Sequence, residues 1–148
     1  MIKKINERYE KERAIKLCDS SFPIGLCTRS DYNEICNKID RYADFFIAEE
    51  NGNIYGYAAM YNNNFETRIA YITMIGVVEA YQRQNIGSKL MYACIKSAKE
   101  NGMIGLRLEV LNTNTKAISF YKKFGFIQEK DCNKNSIYML LLFHQPTK

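Results

Sequence analysis

The chain has 148 residues, a formal net charge of +5, 47% hydrophobic and 25% charged residues and two prolines, which supports a single buried core and excludes a disordered or fibrous protein. Its five cysteines, Cys18, Cys27, Cys36, Cys94 and Cys132, are odd in number and form no C-x-x-C pair, so they read as free thiols of a reducing compartment, not as a zinc site. The one histidine, His144, lies near the end and excludes a Ser-His or Cys-His engine.

No apolar run is long enough to cross a bilayer, and residues 1–4 lead into charged sequence, not a signal-peptide core, so the expected location is the cytoplasm. The basic residues are scattered and not interleaved with aromatics in one run. That speaks against nucleic acid and suits an anionic cofactor equally well.

Residues 1–5 read as a short strand and 9–18 as a helix with Ala14, Ile15, Leu17 and Cys18 inward. Residues 20–25 carry loop chemistry. Ser30 and Asp31 cap a second helix with Tyr32, Ile35, Cys36 and Ile39 on one face, ending near Arg41. Strands at 45–49 and 54–61 flank Asn51-Gly52, a hairpin signal. After a polar turn at 62–64, residues 71–78 are almost continuously apolar and read as a strand buried on both faces.

That strand stops abruptly. Residues 79–85 are polar, and then Ile86, Leu90, Met91, Cys94, Ile95 and Ala98 recur at helical spacing until Asn101-Gly102. Strand, short polar loop and helix start make an anion site. The first-turn N–H groups of Ile86, Gly87 and Ser88 have no intrahelical partners, and Gly87 lets a ligand approach the backbone. The P-loop pattern G-x-x-x-x-G-K-S/T and the dinucleotide pattern G-x-G-x-x-G are both absent.

Residues 105–111 form a strand with Leu106, Leu108 and Val110 on one face and Arg107, Glu109 and Leu111 on the other. A carboxylate in such a strand needs a reason: pairing with Arg107, or chemistry. A last helix places Asn114, Ala117 and Tyr121 on one face, as i, i+3 and i+7, and stops at Gly125. Alone, Asn114 reads equally as an N-cap and Tyr121 as a core aromatic. Strands at 126–129 and 136–143 close the chain, 144–148 are a tail, and residues 1–148 form one domain with no linker or repeat.

The stretch from residue 82 to 87, QRQNIG, resembles the Q/R-x-x-G-x-G/A loop of the GNAT superfamily of acyl-CoA-dependent N-acetyltransferases, with Asn85 where the family usually has Gly. Asn is the next most tolerant residue of a left-handed backbone. Residues 114–126, NTKAISFYKKFGF, match that family's N-x-x-A-x-x-x-Y-x-x-x-G-F/Y segment at Asn114, Ala117, Tyr121, Gly125 and Phe126. The resemblance covers residues 71–126 well and the remainder in outline. It implies a mixed α+β fold with a six- or seven-stranded, mostly antiparallel sheet, one splayed parallel pair, and about four flanking helices.

It also implies the chemistry. Gln82, Arg83, Gln84, Asn85, Ile86, Gly87 and Ser88 would hold the CoA pyrophosphate. Main-chain groups of Ile75 and Val77 would pair with the pantetheine arm where two parallel strands splay beyond Val77 and Glu109, with Asn114 and Ala117 on the other side. Tyr121 would protonate the leaving sulfur, an unperturbed phenol titrating near ~10, above a thiol at ~8.5. Glu109, whose context is similar to the ribosomal-protein N-terminal alanine acetyltransferases, would be the general base.

Acetyl-CoA is then the co-substrate and no metal is called for. The acceptor is a small-molecule or peptide amine attacking directly, and a homodimer is compatible with the family. Cys94 and Cys132 could accept acetyl in principle, but Cys94 lies on the apolar face of its helix. Two alternatives remain: an acetyl-CoA-holding module without catalysis, and a basic domain for a protein or nucleic-acid partner.

Overall fold

Period-two strands and amphipathic helices assemble in the order β1 (Ile2–Ile5), α1 (Arg8–Cys18), α2 (Tyr32–Tyr42), β2 (Ala43–Glu50), β3 (Asn53–Tyr61), β4 (Ile69–Val77), α3 (Ile86–Glu100), β5 (Gly105–Leu111), α4 (Thr115–Lys123), β6 (Ile127–Cys132) and β7 (Ser136–Leu142). The computed structural model describes residues 1–132 and 134–143, with only the backbone at 130–132; His144 and the tail lie outside the described residues. The seven strands form one sheet, β1-β2-β3-β4-β5-β7-β6, antiparallel except for β4 and β5. Asn51 and Gly52 both take positive φ in the β2–β3 turn, the type I′ geometry that the Asn-Gly pair favours.

Each face of the sheet has its own apolar cluster. On one, α3 buries Leu90, Met91, Cys94 and Ala98 against Ala58, Met60, Ala70, Ile72, Leu106 and Leu108. On the other, α1 and α2 bury Ala14, Ile15, Cys18, Cys36 and Ile39 against Phe45, Ile47, Tyr57 and Ala59. This second cluster draws its buried strand residues from β1, β2 and β3, with Met74 of β4 packed at its edge, leaving the α1–α2 side of β5 and β7 uncovered by it. The two helices are tied by Lys11, whose Nζ donates to the Asp40 carboxylate at 3.0 Å and to the Asp40 carbonyl at 3.1 Å.

Three local expectations change. Leu17 is 46% exposed and Lys11 takes the inward position, because the turn of α1 that presents Ala14, Ile15 and Cys18 points Leu17 away. Asp31 is the N-cap residue of α2 but makes no capping bond; its carboxylate accepts from Arg29 Nε and Nη2 at 2.9 and 2.8 Å. And β4 is not buried on both faces throughout: Ala70 and Ile72 are buried, but residues 73–77 are only half-buried.

The last difference has a backbone cause. Ala59 pairs with Met74 and Met60 with Ile72, so Thr73 is an extra residue in β4. Such a bulge bends the strand and raises its twist. The parallel pairing of β4 with β5 runs from Ile69 with Gly105 to Ile72 with Leu108 and stops there. Beyond it β4 follows β3, and β5 follows β7. The strands therefore part at Thr73, not beyond Val77, and the opening lengthens by roughly 13 Å of extended chain.

Asp40→Ala leaves a nearly buried ammonium without its carboxylate, and should lower the unfolding free energy by roughly 1–3 kcal/mol in a urea titration. Lys11→Met, which removes charge and keeps bulk, should cost less; a larger loss from Lys11→Met would mean that the pair itself stabilises the helix contact.

Candidate active site

Antiparallel ladders alternate hydrogen-bonded and non-hydrogen-bonded pairs. Val78 N–H donates to the Tyr55 carbonyl at 2.8 Å, so Val78, Gly76 and Met74 turn their polar groups to β3. Ile75 and Val77 turn theirs into the gap left by β5. The Val77 carbonyl there accepts from Gln82 Nε2 at 3.1 Å. A cleft of about 1910 Å³ follows this gap and is lined from both sheet faces. That exceeds the ~300–1,000 Å³ of an ordinary small-molecule site, and leaves room for a long ligand together with a second reactant.

One end of the cleft is the loop before α3. Arg83 and Asn85 have φ of +72° and +62°, and Asn85, the N-cap residue, makes no side-chain cap. The left-handed turn that the family's glycine would supply is thus made by Asn85. Gln82, Arg83, Asn85, Ile86, Gly87 and Ser88 line the cleft and Gln84 does not. The position of a Cβ on Gly87 is bordered by Phe120 Cζ at 3.4 Å and Val77 Cγ2 at 3.8 Å, so that ring, as well as any ligand, limits residue 87.

α4 forms the adjoining wall. Asn114 Oδ1 accepts from Ala117 N–H at 3.3 Å, so the N-cap reading is realised, and what Asn114 offers a ligand is its amide N–H. Lys116 Nζ donates to Gln82 Oε1 at 3.1 Å and ties the helix to the loop. Tyr121 lines the cleft at 9% exposure, between Phe120 and Phe126 with ring centroids 5.5 and 5.7 Å away. Burial pushes its phenol up to about 12, so it stays protonated through the neutral range. Gly125 (φ +99°) ends the helix: Phe126 N–H reaches the Tyr121 carbonyl and Gly125 N–H that of Lys122, the Schellman pattern.

Across the gap, Glu109 is exposed to the cleft, and Ser136 Oγ donates to its Oε2. The pairing expected for Arg107 goes elsewhere: its Nε and Nη2 donate to both oxygens of Glu129 at 2.8 and 2.9 Å, which raises the guanidinium pKa. β6 brings Glu129 within reach, and a planar guanidinium takes two oxygens in a fork. Tyr71 is pushed up to about 12, first by desolvation and then by the charge of Glu109.

The near wall comes from the segment between α1 and α2. Asp19 Oδ1 accepts from Leu26 and Cys27 N–H at 2.6 and 3.2 Å and folds that segment. Phe22 then lies on Gly76, where a Cβ would meet its Cζ at 2.6 Å. No periodicity marks Phe22, Gly76 or Ser136 as site residues; only the apolar Phe22-Pro23-Ile24 run inside a loop is unusual. Cys94 is fully buried with its thiol pushed up to about 12, which removes it as an acyl carrier, and the Cys132 side chain lies outside the described residues. Among the described residues no cluster of His, Cys, Asp and Glu could hold a metal ion, and no helix is long and apolar enough to cross a membrane.

The family model described as acetyltransferase (GNAT) matches residues 11–126. A Bacillus subtilis (strain 168) protein, named provisionally as a ribosomal protein bS18-alanine N-acetyltransferase, is 31% identical over 106 residues, 72% of this chain and 67% of that one. The crystal structure of the ribosomal-protein-S18-alanine N-acetyltransferase from Escherichia coli superposes with a TM-score of 0.79 at 20% identity, covering 100% of this chain and 96% of the other. That of an N-acetyltransferase from Thermoplasma acidophilum in complex with coenzyme A gives 0.78 at 20% identity over 97% and 99%. At these identities the two structures establish the fold.

Because Asn85 holds a left-handed backbone, Asn85→Gly should leave stability about unchanged. Asn85→Val should lose roughly 1–2 kcal/mol in a denaturant titration, and equal stability of both variants would show that the turn relaxes without it.

Proposed function

The chain belongs to the GNAT acetyltransferase family, and from that premise we propose that it moves the acetyl group of acetyl-CoA to a primary amine of a small molecule or peptide. One observation carries the reading. The open edge of β4 at Ile75 and Val77 lies in a single cleft with the loop before α3 at one end and Tyr121 and Glu109 on its walls.

In this reading the diphosphate of acetyl-CoA sits on the N–H groups of Ile86, Gly87 and Ser88 and of the loop preceding them, with Arg83 adding charge. The pantetheine arm runs along Ile75 and Val77 like an added strand, beside Asn114 and Ala117. It takes the place on Val77 that the Gln82 amide occupies. Main-chain N–H on β4 then polarises the thioester carbonyl and supports the oxyanion.

The amine nitrogen enters from the Phe22 side and attacks the carbonyl carbon. Its surplus proton passes to Glu109, directly or through water, the C–S bond breaks, and the thiolate leaves beside Tyr121. A phenol at about 12 lies above a thiol at ~8.5, so its main service is a hydrogen bond to the departing sulfur. Direct transfer needs no acyl-enzyme. A peptide with a free N-terminal alanine is the first acceptor to try, given what the Bacillus subtilis relative is named for.

Calorimetry with acetyl-CoA, followed by an amine screen that reads released thiol, tests the proposal; absent binding ends it, and binding without transfer to any amine leaves a holding module. Tyr121→Phe should lower kcat by about 10²-fold with acetyl-CoA affinity within about twofold, and an unchanged kcat removes the phenol from the reaction. Gly87→Val should weaken acetyl-CoA binding at least about tenfold, whereas Gly87→Ala, which fits beside Phe120, should weaken it less. Equal, undiminished affinity in both would place the diphosphate elsewhere.

A further inference from the structure

β5 and β7 deliver a second polar side chain to the carboxylate that the reaction above uses. In their register Glu109 faces Tyr138 and Leu111 faces Ser136, so these four side chains share one face of the sheet and Ser136 is the diagonal neighbour of Glu109. Ser136 is buried at 6% exposure, while Glu109 is open to the cleft. Its hydroxyl donates to Glu109 Oε2. The strand end that carries it is held by Asn112, whose backbone N–H donates to the Asn135 carbonyl at 2.9 Å and whose side-chain amide reaches the Lys134 carbonyl at 3.4 Å. A buried hydroxyl on an anchored strand thus holds one oxygen of an exposed carboxylate.

We infer that Ser136 is a positioning residue that orients the Glu109 carboxylate toward the incoming amine, an inference that rests on Glu109 being the base. A glutamate has three side-chain torsions and loses much rotamer freedom when ordered. Holding one oxygen fixes the carboxylate plane, so that the proton leaving the amine meets an acceptor already in place.

Arg107 of β5 is forked onto Glu129 of β6, Tyr71 of β4 and Tyr138 of β7 are phenols, and Arg29 and Lys38 line the cleft from the α1–α2 segment and α2. A merely structural serine would stitch β5 to β7, and its loss would lower stability with kcat unchanged.

The experiment compares the full chain with Ser136→Ala, Ser136→Thr and Glu109→Gln. Rates are taken from pH 6 to 9.5 with acetyl-CoA and an N-terminal alanine peptide, with kcat and KM read separately. Ser136→Ala removes the donated hydroxyl and keeps the pairing of β5 with β7. Its kcat should fall about tenfold, a fraction of the 10²–10⁴-fold of a positioned base, with KM for acetyl-CoA unchanged.

Ser136→Thr, which keeps the hydroxyl, should return kcat toward wild type. An unchanged kcat in Ser136→Ala beside a crippled Glu109→Gln overturns the inference. A fully active Glu109→Gln removes instead the base on which the inference rests, and is told apart by that variant alone.

Discussion

One extra residue in β4 organises this molecule. Thr73 has no partner opposite it on β3, and the bend it introduces carries residues 74–77 away from β5 after only four parallel pairs. Backbone N–H and C=O groups inside a sheet are normally used up by neighbouring strands. Here Ile75 and Val77 keep theirs turned into a gap, and a half-buried polar edge is costly to the extent that nothing pairs with it. The Gln82 amide does this for the Val77 carbonyl. A chain-like ligand with its own amides would do so along the whole edge, which is how an interrupted sheet becomes a binding slot.

Placement around the gap follows from what each face of the sheet can cover. α3 must start where β4 stops, so the N–H groups of its first turn fall at one end of the slot. α4 must pack beside α3, so Tyr121 is sunk among Phe120 and Phe126 and loses its water. On the other face α1 and α2 cover β1 to β3 and leave Glu109 in contact with solvent. Two ionisable groups on the two sides of one slot therefore have opposite environments. Desolvation keeps the phenol protonated, while the carboxylate is open to solvent.

Arg107 and Glu109 are neighbours on one strand face, and a reading from spacing alone pairs them. Tertiary structure separates them instead, because β7 and β6 bring a second carboxylate, Glu129, with a better geometry for the guanidinium fork. Glu109 accepts instead from a serine hydroxyl of β7. Likewise the near wall of the slot depends on Asp19 folding the loop that carries Phe22 onto Gly76, a contact between residues far apart in the chain.

The elements themselves were legible, because their causes are local. Alternating apolar residues, Asn51-Gly52, Gly125 after α4 and the helical spacing from Ile86 to Ala98 each act within a few residues. The loop from Gln82 to Gly87 and the face of Asn114, Ala117 and Tyr121 were legible for the same reason, and even the left-handed turn at Asn85 could be expected from its chemistry. Where β4 leaves β5, which carboxylate takes Arg107, that Leu17 faces out and Lys11 in, and that Ser136 reaches Glu109 were not. Each is settled by strand register or by packing between segments 20 or more residues apart, and long-range register leaves no period in the chain from which to read it.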